Sequence, residues 1–327
     1  MEHNEELKIR KKLIDRQNRL NETINDTGKS EYLLELLQQV DAALDRMDRG
    51  TYGICETCHD PIEEERLLID PLTCFCLDHL TQNQQKELEQ DFYLASRIQG
   101  ALLPKRDHQI GPWQIYYSYL PAGPVSGDYC DLVKLNKDEE TFAFFLGDVS
   151  GKGVAASMLM THLHAMFHSL IDLNLPPDNL IDKVNRLFCE STLSTHYTTL
   201  IGGYADKQGE IEIVNAGHWP ALLIKKDKFE WIGTTGLPLG FFCNGNYTTR
   251  KLKLEKNDTL LLYTDGLIEA GYQREENGES RVETGIPVVR NLNAEATVNY
   301  YLEDLRKFLK GSAQSDDLTI MAIKRDA

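Results

Sequence analysis

The chain is short of positive charge. Against 51 aspartates and glutamates it carries only 35 lysines and arginines, a formal net charge of −16 over 327 residues. So acidic a chain lacks the basic footprint that non-specific nucleic-acid binding needs. A bare phosphate group would be repelled from it unless cations intervene. Uninterrupted apolar runs of transmembrane length are not evident, and Met1-Glu2-His3-Asn4-Glu5-Glu6 has none of the features of a signal peptide, so no membrane partner is expected. Cysteines are few and odd in number: seven, four of them between residues 55 and 76. That distribution argues against a disulfide framework and for metal ligation in a reducing cytoplasm. The hydrophobic fraction of 41% is that of a globular chain, and the length suffices for two or three domains.

Residues 5–25 set Leu7, Leu13, Ile14, Leu20 and Ile24 among charges, and Asn25-Asp26-Thr27-Gly28 reads as a turn. Behind a Ser30 N-cap, Leu33, Leu37, Val40, Leu44 and Met47 recur at heptad-like spacing, with Gly50 as the stop. An antiparallel helical hairpin is expected. Cys55-x-x-Cys58 follows, and Cys76-Leu77-Asp78-His79 repeats the two-residue gap. Two such pairs predict one tetrahedral zinc, with Cys74 an alternative to Cys76. Little apolar residue lies between the pairs, so the metal would hold this lobe together. Asp48-Arg49-Gly50-Thr51-Tyr52-Gly53-Ile54-Cys55-Glu56-Thr57-Cys58, with Pro61-Ile62 and Glu65-Arg66-Leu67, resembles the DksA/TraR C4-type zinc finger. His79 stands where that family has its last cysteine.

Residues 81–104 read as a linker helix with Leu88, Phe92, Ala95, Ile98 and Leu102 on one face, stopped at Pro104. The stripe suits either a parallel pair in a homodimer or packing on the next domain, and the segment is placed to carry a signal. The expected organisation is therefore a hairpin and zinc finger over 1–80, a linker over 81–104 and a third domain over 105–327. In the third, short strands come in runs between three helices, Val154–Ile171, Asp178–Leu193 and Ala294–Leu309. This is an α+β pattern with antiparallel hairpins.

In that domain acidic residues sit at the ends of predicted strands. Phe142-Ala143-Phe144-Phe145-Leu146-Gly147 runs into Asp148, then Val149-Ser150-Gly151-Lys152-Gly153. Asp128 follows Gly127, Asp265 follows Leu260–Thr264, and Asp316-Asp317 opens Leu318–Ile323. A carboxylate at the mouth of a buried strand is expensive to desolvate without a positive partner, and strand ends can converge on one rim. The four sites suggest a pair of hard divalent cations for metal-assisted phosphoryl chemistry. His164 and His168 lie one helical turn apart like a zinc pair, but no third ligand is evident beside them, so a helix surface or interface is expected. His218 is read as structural, and Lys152 as a solvated surface lysine.

The order of motifs is more specific. Arg97-Ile98-Gln99 with Leu102-Leu103-Pro104, Gly127-Asp128-Tyr129-Cys130-Asp131, Gly147–Gly153, Asn215-Ala216-Gly217-His218, Leu237-Pro238-Leu239-Gly240, Thr264-Asp265-Gly266 with Glu269-Ala270, and Asp316-Asp317-Leu318-Thr319 resemble the SpoIIE/RsbU-type serine phosphatases of the metal-dependent PPM superfamily. The resemblance implies an α-β-β-α sandwich, two Mn²⁺ or Mg²⁺ ions and a water nucleophile. It implies a phosphoserine or phosphothreonine substrate, commonly on a STAS-domain protein. Asp148 would bridge both metals, Asp128 and the Val149 carbonyl would serve one, and Asp265 and Asp316 the other, with Asp317 the alternative to Asp316. The rival reading is a non-catalytic transcription regulator that docks phosphoproteins.

Overall fold

The unbroken apolar run at Phe142–Val149 is explained by burial on both of its faces. Successive strand residues point to opposite sides. Phe142, Phe144 and Leu146 enter a core between two sheets, while Ala143, Phe145 and Val149 enter a second core beneath helices. A computed structural model describes residues 3–27, 30–79, 82–135, 140–192, 195–269, 278–310, 314 and 316–326. The chain divides into two units, Met1–Asp91 and Phe92–Ala327.

In the first unit, helices α1 (His3–Thr27) and α2 (Glu31–Asp48) form the expected hairpin. Arg10 meets Asp48 at 2.6 Å and Gln17 meets Asp41 at 2.6 Å, pairings that fix the two helices as antiparallel. Ile9, Leu13, Val40, Ala43 and Met47 fill their interface, which continues into Tyr52, Ile62 and the short helix α3 (Glu64–Ile69) through Leu67. The predicted turn is partly corrected: α1 continues through Thr27, and residues 28 and 29 lie outside the described residues. Helix α4 (Gln82–Leu102) leads from this unit into the second. On its predicted apolar face Leu88 and Ile98 are exposed, as are Tyr93 and Leu94 beside them.

The second unit holds β1 (Asp107–Ile110), β2 (Trp113–Leu120), β3 (Asp128–Lys134), β4 (Phe142–Val149), β5 (Thr198–Ala205), β6 (Glu210–Ala216), β7 (Ala221–Ile224), β8 (Phe229–Ile232), β9 (Arg250–Lys253), β10 (Thr259–Tyr263) and β11 (Leu318–Arg325). One sheet runs β1-β2-β11-β10-β7-β8 and the other β3-β4-β5-β6-β9, with every neighbouring pair antiparallel. Helices α5 (Gly153–Leu170) and α6 (Pro177–Ser191) cover the five-stranded sheet. Helices α7 (Gly278–Val289) and α8 (Ala294–Leu309) cover the six-stranded one. The result is the α-β-β-α sandwich, two sheets packed face to face around an apolar core.

Three strands escaped the sequence reading. β1 and β8 are four residues each, and β3 spells Asp-Tyr-Cys-Asp-Leu-Val-Lys, with charges where alternation would want apolar residues. α7 was masked by Pro287 inside it. Contrary to the expectation from the sequence, one described helix reaches transmembrane length. Gly153–Leu173 is long enough, at mean hydropathy 1.2, to match a membrane span by length and composition. Here it serves as a core helix, sending Ala156, Met160, Leu163 and Phe167 into the layer above the five-stranded sheet.

Candidate active site

Antiparallel pairing brings the four predicted aspartates to one rim. Asp128 opens β3 and faces Asp148, next to last in β4, directly across the ladder. On the other sheet β10 ends where β11 begins, Tyr263 opposite Ile320, which sets Asp265 and Asp316 on neighbouring strand ends. The two sheets are stitched together here by Asp128. Its Oδ2 accepts from Thr264 Oγ1 at 2.9 Å and from Thr319 Oγ1 at 2.6 Å, both on the opposing sheet's side. Its Oδ1 is buried without a hydrogen-bond partner. An orphaned carboxylate oxygen in a buried position carries a desolvation cost that a bound cation would relieve.

Asp148 and Asp265 line one cavity of about 320 Å³, together with Ser150, Tyr197, Thr199 and His218. Carboxylate oxygens of Asp265, Glu269 and Asp316 all lie within 4.8 Å of one another. Burial first, and the crowding of like charges second, favour the protonated carboxyls in this group. Burial, and then Asp265 and Asp316, push Asp148 up to about 8. Burial and Asp316 push Asp265 up to about 6. Burial and the neighbouring Asp148 raise Asp128 well above the usual carboxylate range. Such a set resists ionisation until a cation is supplied, and its all-oxygen chemistry fits Mg²⁺ or Mn²⁺ rather than a softer ion. The Val149 carbonyl faces Gly127 beside the Asp148 carboxylate, on the same side of the turn.

Asp316 and Asp317 have different surroundings, as adjacent residues in extended chain should. Asp317 is committed to backbone, its oxygens accepting from Ala122 N at 2.7 Å and Gly127 N at 2.8 Å. It thereby holds the loop that precedes Asp128. Asp316 is left facing Asp265. Lys152 is exposed but is not merely solvated, for its Nζ lies 2.7 Å from Asp316. Glu269, which the sequence offered only inside a motif, joins the acidic group. Its signal was its spacing, one helical turn beyond Asp265. Ala270 lies outside the described residues.

His218, read from the sequence as structural, is buried in the wall of the cavity that Asp148 and Asp265 line. Its Nδ1 lies 2.8 Å from Thr199 Oγ1 and its Nε2 donates to the Tyr263 carbonyl at 3.1 Å, an arrangement of the neutral ring. Burial pushes it down to about 4. Because the folded value lies below the unfolded one of about 6.5, its contribution is complete above that pH and is lost as pH falls through about 4. Urea unfolding of wild type and His218→Gln between about pH 7 and pH 4 should show the wild type losing about 3 kcal/mol more than the variant. Parallel losses in the two proteins would contradict this.

In the first unit Cys55, Cys58, Cys76 and His79 bring their ligand atoms within 4.8 Å of one another. Cys58 Sγ lies 3.7 Å from Cys76 Sγ, and Cys76 Sγ 3.2 Å from His79 Nδ1, spacings of a tetrahedral zinc set rather than of a disulfide. Against the cost of burial, the N–H groups of Cys58, Cys76 and Thr57 pull the Cys55 thiol down to about 6. Cys74 offers its carbonyl to Glu56 N at 3.0 Å and is not among the four.

The family model of Stage II sporulation protein E (SpoIIE) matches residues 138–326, and that of the prokaryotic dksA/traR C4-type zinc finger matches residues 50–78. The phosphoserine phosphatase RsbU of Bacillus subtilis is 28% identical over 197 residues, 59% of this chain and 57% of that protein. The chain spans 40% to 57% of the length of the curated relatives it matches. Among solved structures, the RsbU and RsbW domains of Rv1364c from Mycobacterium tuberculosis superpose with TM-score 0.57 at 26% identity, covering 69% of this chain and 63% of that one. The SiaA-PP2C domain of Pseudomonas aeruginosa superposes with TM-score 0.64 at 18% identity over 74% of this chain and 98% of its own, a likeness of fold. The SpoIIE match takes in Asp148, Asp265 and Asp316 and more than half of the sequence, so the chain belongs to the SpoIIE family and joins its phosphatase-type domain to a DksA/TraR-type zinc finger.

Proposed function

We propose that the chain is a protein phosphatase, dependent on Mn²⁺ or Mg²⁺, that acts on phosphoserine or phosphothreonine of a regulatory protein such as a STAS-domain protein. The observation that carries this reading is the shared cavity of Asp148 and Asp265, with Asp316 and Glu269 at ligand spacing from Asp265. Asp128, Asp148, Asp265 and Asp316, with the Val149 carbonyl, would hold the cations, Asp148 serving both. When bound, such a pair neutralises phosphoryl charge and activates a water for in-line displacement.

The chain's own groups do the rest. Thr264 and Thr319 orient Asp128, the Asp317 carboxylate holds the Gly127 loop, and Lys152 places a cation at the edge of the acidic group. Tyr197 stands at the cavity beside exposed Phe241 and Phe242, with Tyr197 and Phe241 rings 6.0 Å apart. An apolar surface next to the acidic site suits a folded protein substrate better than a small phosphate ester.

Regulation by the N-terminal zinc lobe, and a homodimer through α4, belong to the same reading. Leu88, Tyr93, Leu94 and Ile98 leave α4 an exposed apolar face. Near its end, buried Gln99 donates to the Ser126 carbonyl at 2.7 Å and accepts from Ser126 N at 3.0 Å, two residues before Asp128. A shift of α4 would therefore be felt at the first carboxylate. The test is phosphate release from a phosphoserine-bearing STAS-domain protein with Mn²⁺. Metal-dependent turnover is expected, and silence over several phosphoproteins would favour a non-catalytic docking role.

A further inference from the structure

The helix surface or interface expected around His164 and His168 is there, His168 being half-exposed and His164 mostly buried, but it holds more than the two histidines. A third group meets them from β3. Asp131 follows Tyr129 on the side of that strand that faces α5, and its side chain is buried. Its Oδ2 lies 2.8 Å from His168 Nε2 and 3.4 Å from His164 Nδ1. The two imidazoles are a helical turn apart with ring centroids 4.1 Å from each other. One ligand atom from each of Asp131, His164 and His168 lies within 4.8 Å of the others.

We propose that Asp131, His164 and His168 form a zinc site, separate from both the acidic rim and the cysteine knuckle. The dimensions fit. Zinc bonds of about 2.0–2.2 Å to nitrogen and oxygen place tetrahedral ligand atoms roughly 3.3 Å apart, and the two separations of 2.8 and 3.4 Å straddle that value. So does the donor set: two imidazoles and one carboxylate favour zinc over Mg²⁺ or Mn²⁺. The carboxylate is already oriented. Leu132 N donates to Oδ1 at 2.8 Å, which turns Oδ2 toward the histidines, and Tyr129 Oη donates to Oδ2 at 3.0 Å. These are outer-shell contacts of the kind that fix a metal ligand in place. Without metal, two imidazole nitrogens and a phenol crowd around one oxygen. A cation there takes a lone pair from each ligand, any proton on the ligating ring nitrogen passing to the ring's other nitrogen or to water, and leaves the phenol bond intact. His168, with 43% of its side chain exposed, leaves a fourth position open to water and gives the ion a way in.

The ion would tie the C-terminal half of α5 to β3. The first element begins at the turn after Asp148, and the second begins with Asp128.

The test is zinc stoichiometry on the full chain, stripped of metal and reloaded with Zn²⁺ in excess Mg²⁺. His164→Ala/His168→Ala should hold one zinc fewer per chain than wild type, while Asp148→Asn should hold as many as wild type. His168→Gln, at a half-exposed position that folding tolerates, should weaken one zinc in chelator competition by more than the roughly 10–100-fold typical of losing an outer-shell partner. Equal zinc counts in wild type and the double variant, or unchanged affinity in His168→Gln, would overturn the proposal. The count is independent of phosphatase turnover, so its failure and the failure of the proposed activity are separate results.

Discussion

Replacing Asp148 with Asn should reduce Mn²⁺-dependent phosphate release by more than about 10³-fold, or roughly 4 kcal/mol of barrier, while the fold persists. Asp148 is the carboxylate on which the others press. Burial and the charges of Asp265 and Asp316 lift it to about 8, so in the absence of cations its ionisation works against the fold. The sign follows from linkage. A carboxyl raised above its unfolded value of about 3.9 contributes fully below that value and loses the contribution as pH rises through about 8. Metal-free Asp148→Asn should therefore melt higher than metal-free wild type at alkaline pH, and Mn²⁺ should raise Tm for wild type far more than for the variant. Activity and metal-free stability should move in opposite directions. Turnover comparable to wild type would remove Asp148 from the chemistry, and a collapse of structure in the variant would make it a fold residue instead.

We propose that Cys55, Cys58, Cys76 and His79 hold a structural zinc, and its removal should have the other large effect. Between residues 50 and 79 the only regular elements described are the six-residue α3, a single turn of 3-10 helix at Leu77–His79 and an isolated bridge between Ile54 and Pro61. Of its own residues the lobe buries only Tyr52, Ile62 and Leu67 with the thiols of Cys55 and Cys76, and these join the core of the α1–α2 hairpin, with Leu72 and Phe75 packed against it. So small a lobe cannot offset the entropy of ordering its own chain. Structural zinc in a site of this type contributes about 10–16 kcal/mol, which exceeds what those side chains supply. Chelation, or Cys55→Ser, should abolish amide-exchange protection across 50–79 and leave the sandwich's protection in place. Cys74→Ser should keep its zinc, because Cys74 serves through its carbonyl. Protection unchanged after zinc loss would show that the lobe folds by packing alone.

What was legible in the sequence was whatever chemistry leaves a local mark. A Gly beside an Asp at the end of an apolar run announced Asp148 and Asp265, the Gly127-Asp128 pair announced Asp128, and the paired two-residue gaps announced Cys55, Cys58, Cys76 and His79. The sandwich followed from motif order rather than from periodicity, since β4 alternates between two apolar cores and so shows no period of two. The choice between Asp316 and Asp317 could not be read, because it depends on the Ala122 and Gly127 amides, nearly two hundred residues away. The same holds for Asp131. Nothing near His164 and His168 in the chain hints at a partner, and only the packing of α5 on β3 supplies it. Lys152 looked like a surface lysine for the same reason, its partner lying 164 positions away.

The central claim is that one rim of the sandwich gathers two hard cations among Asp128, Asp148, Asp265 and Asp316. Manganese anomalous scattering from crystals grown in Mn²⁺ tests it most directly. The account predicts two manganese peaks at that rim, with the Asp148 carboxylate shared between them, and none in crystals of Asp148→Asn. An empty rim in the wild-type crystals, or manganese held elsewhere, would contradict it.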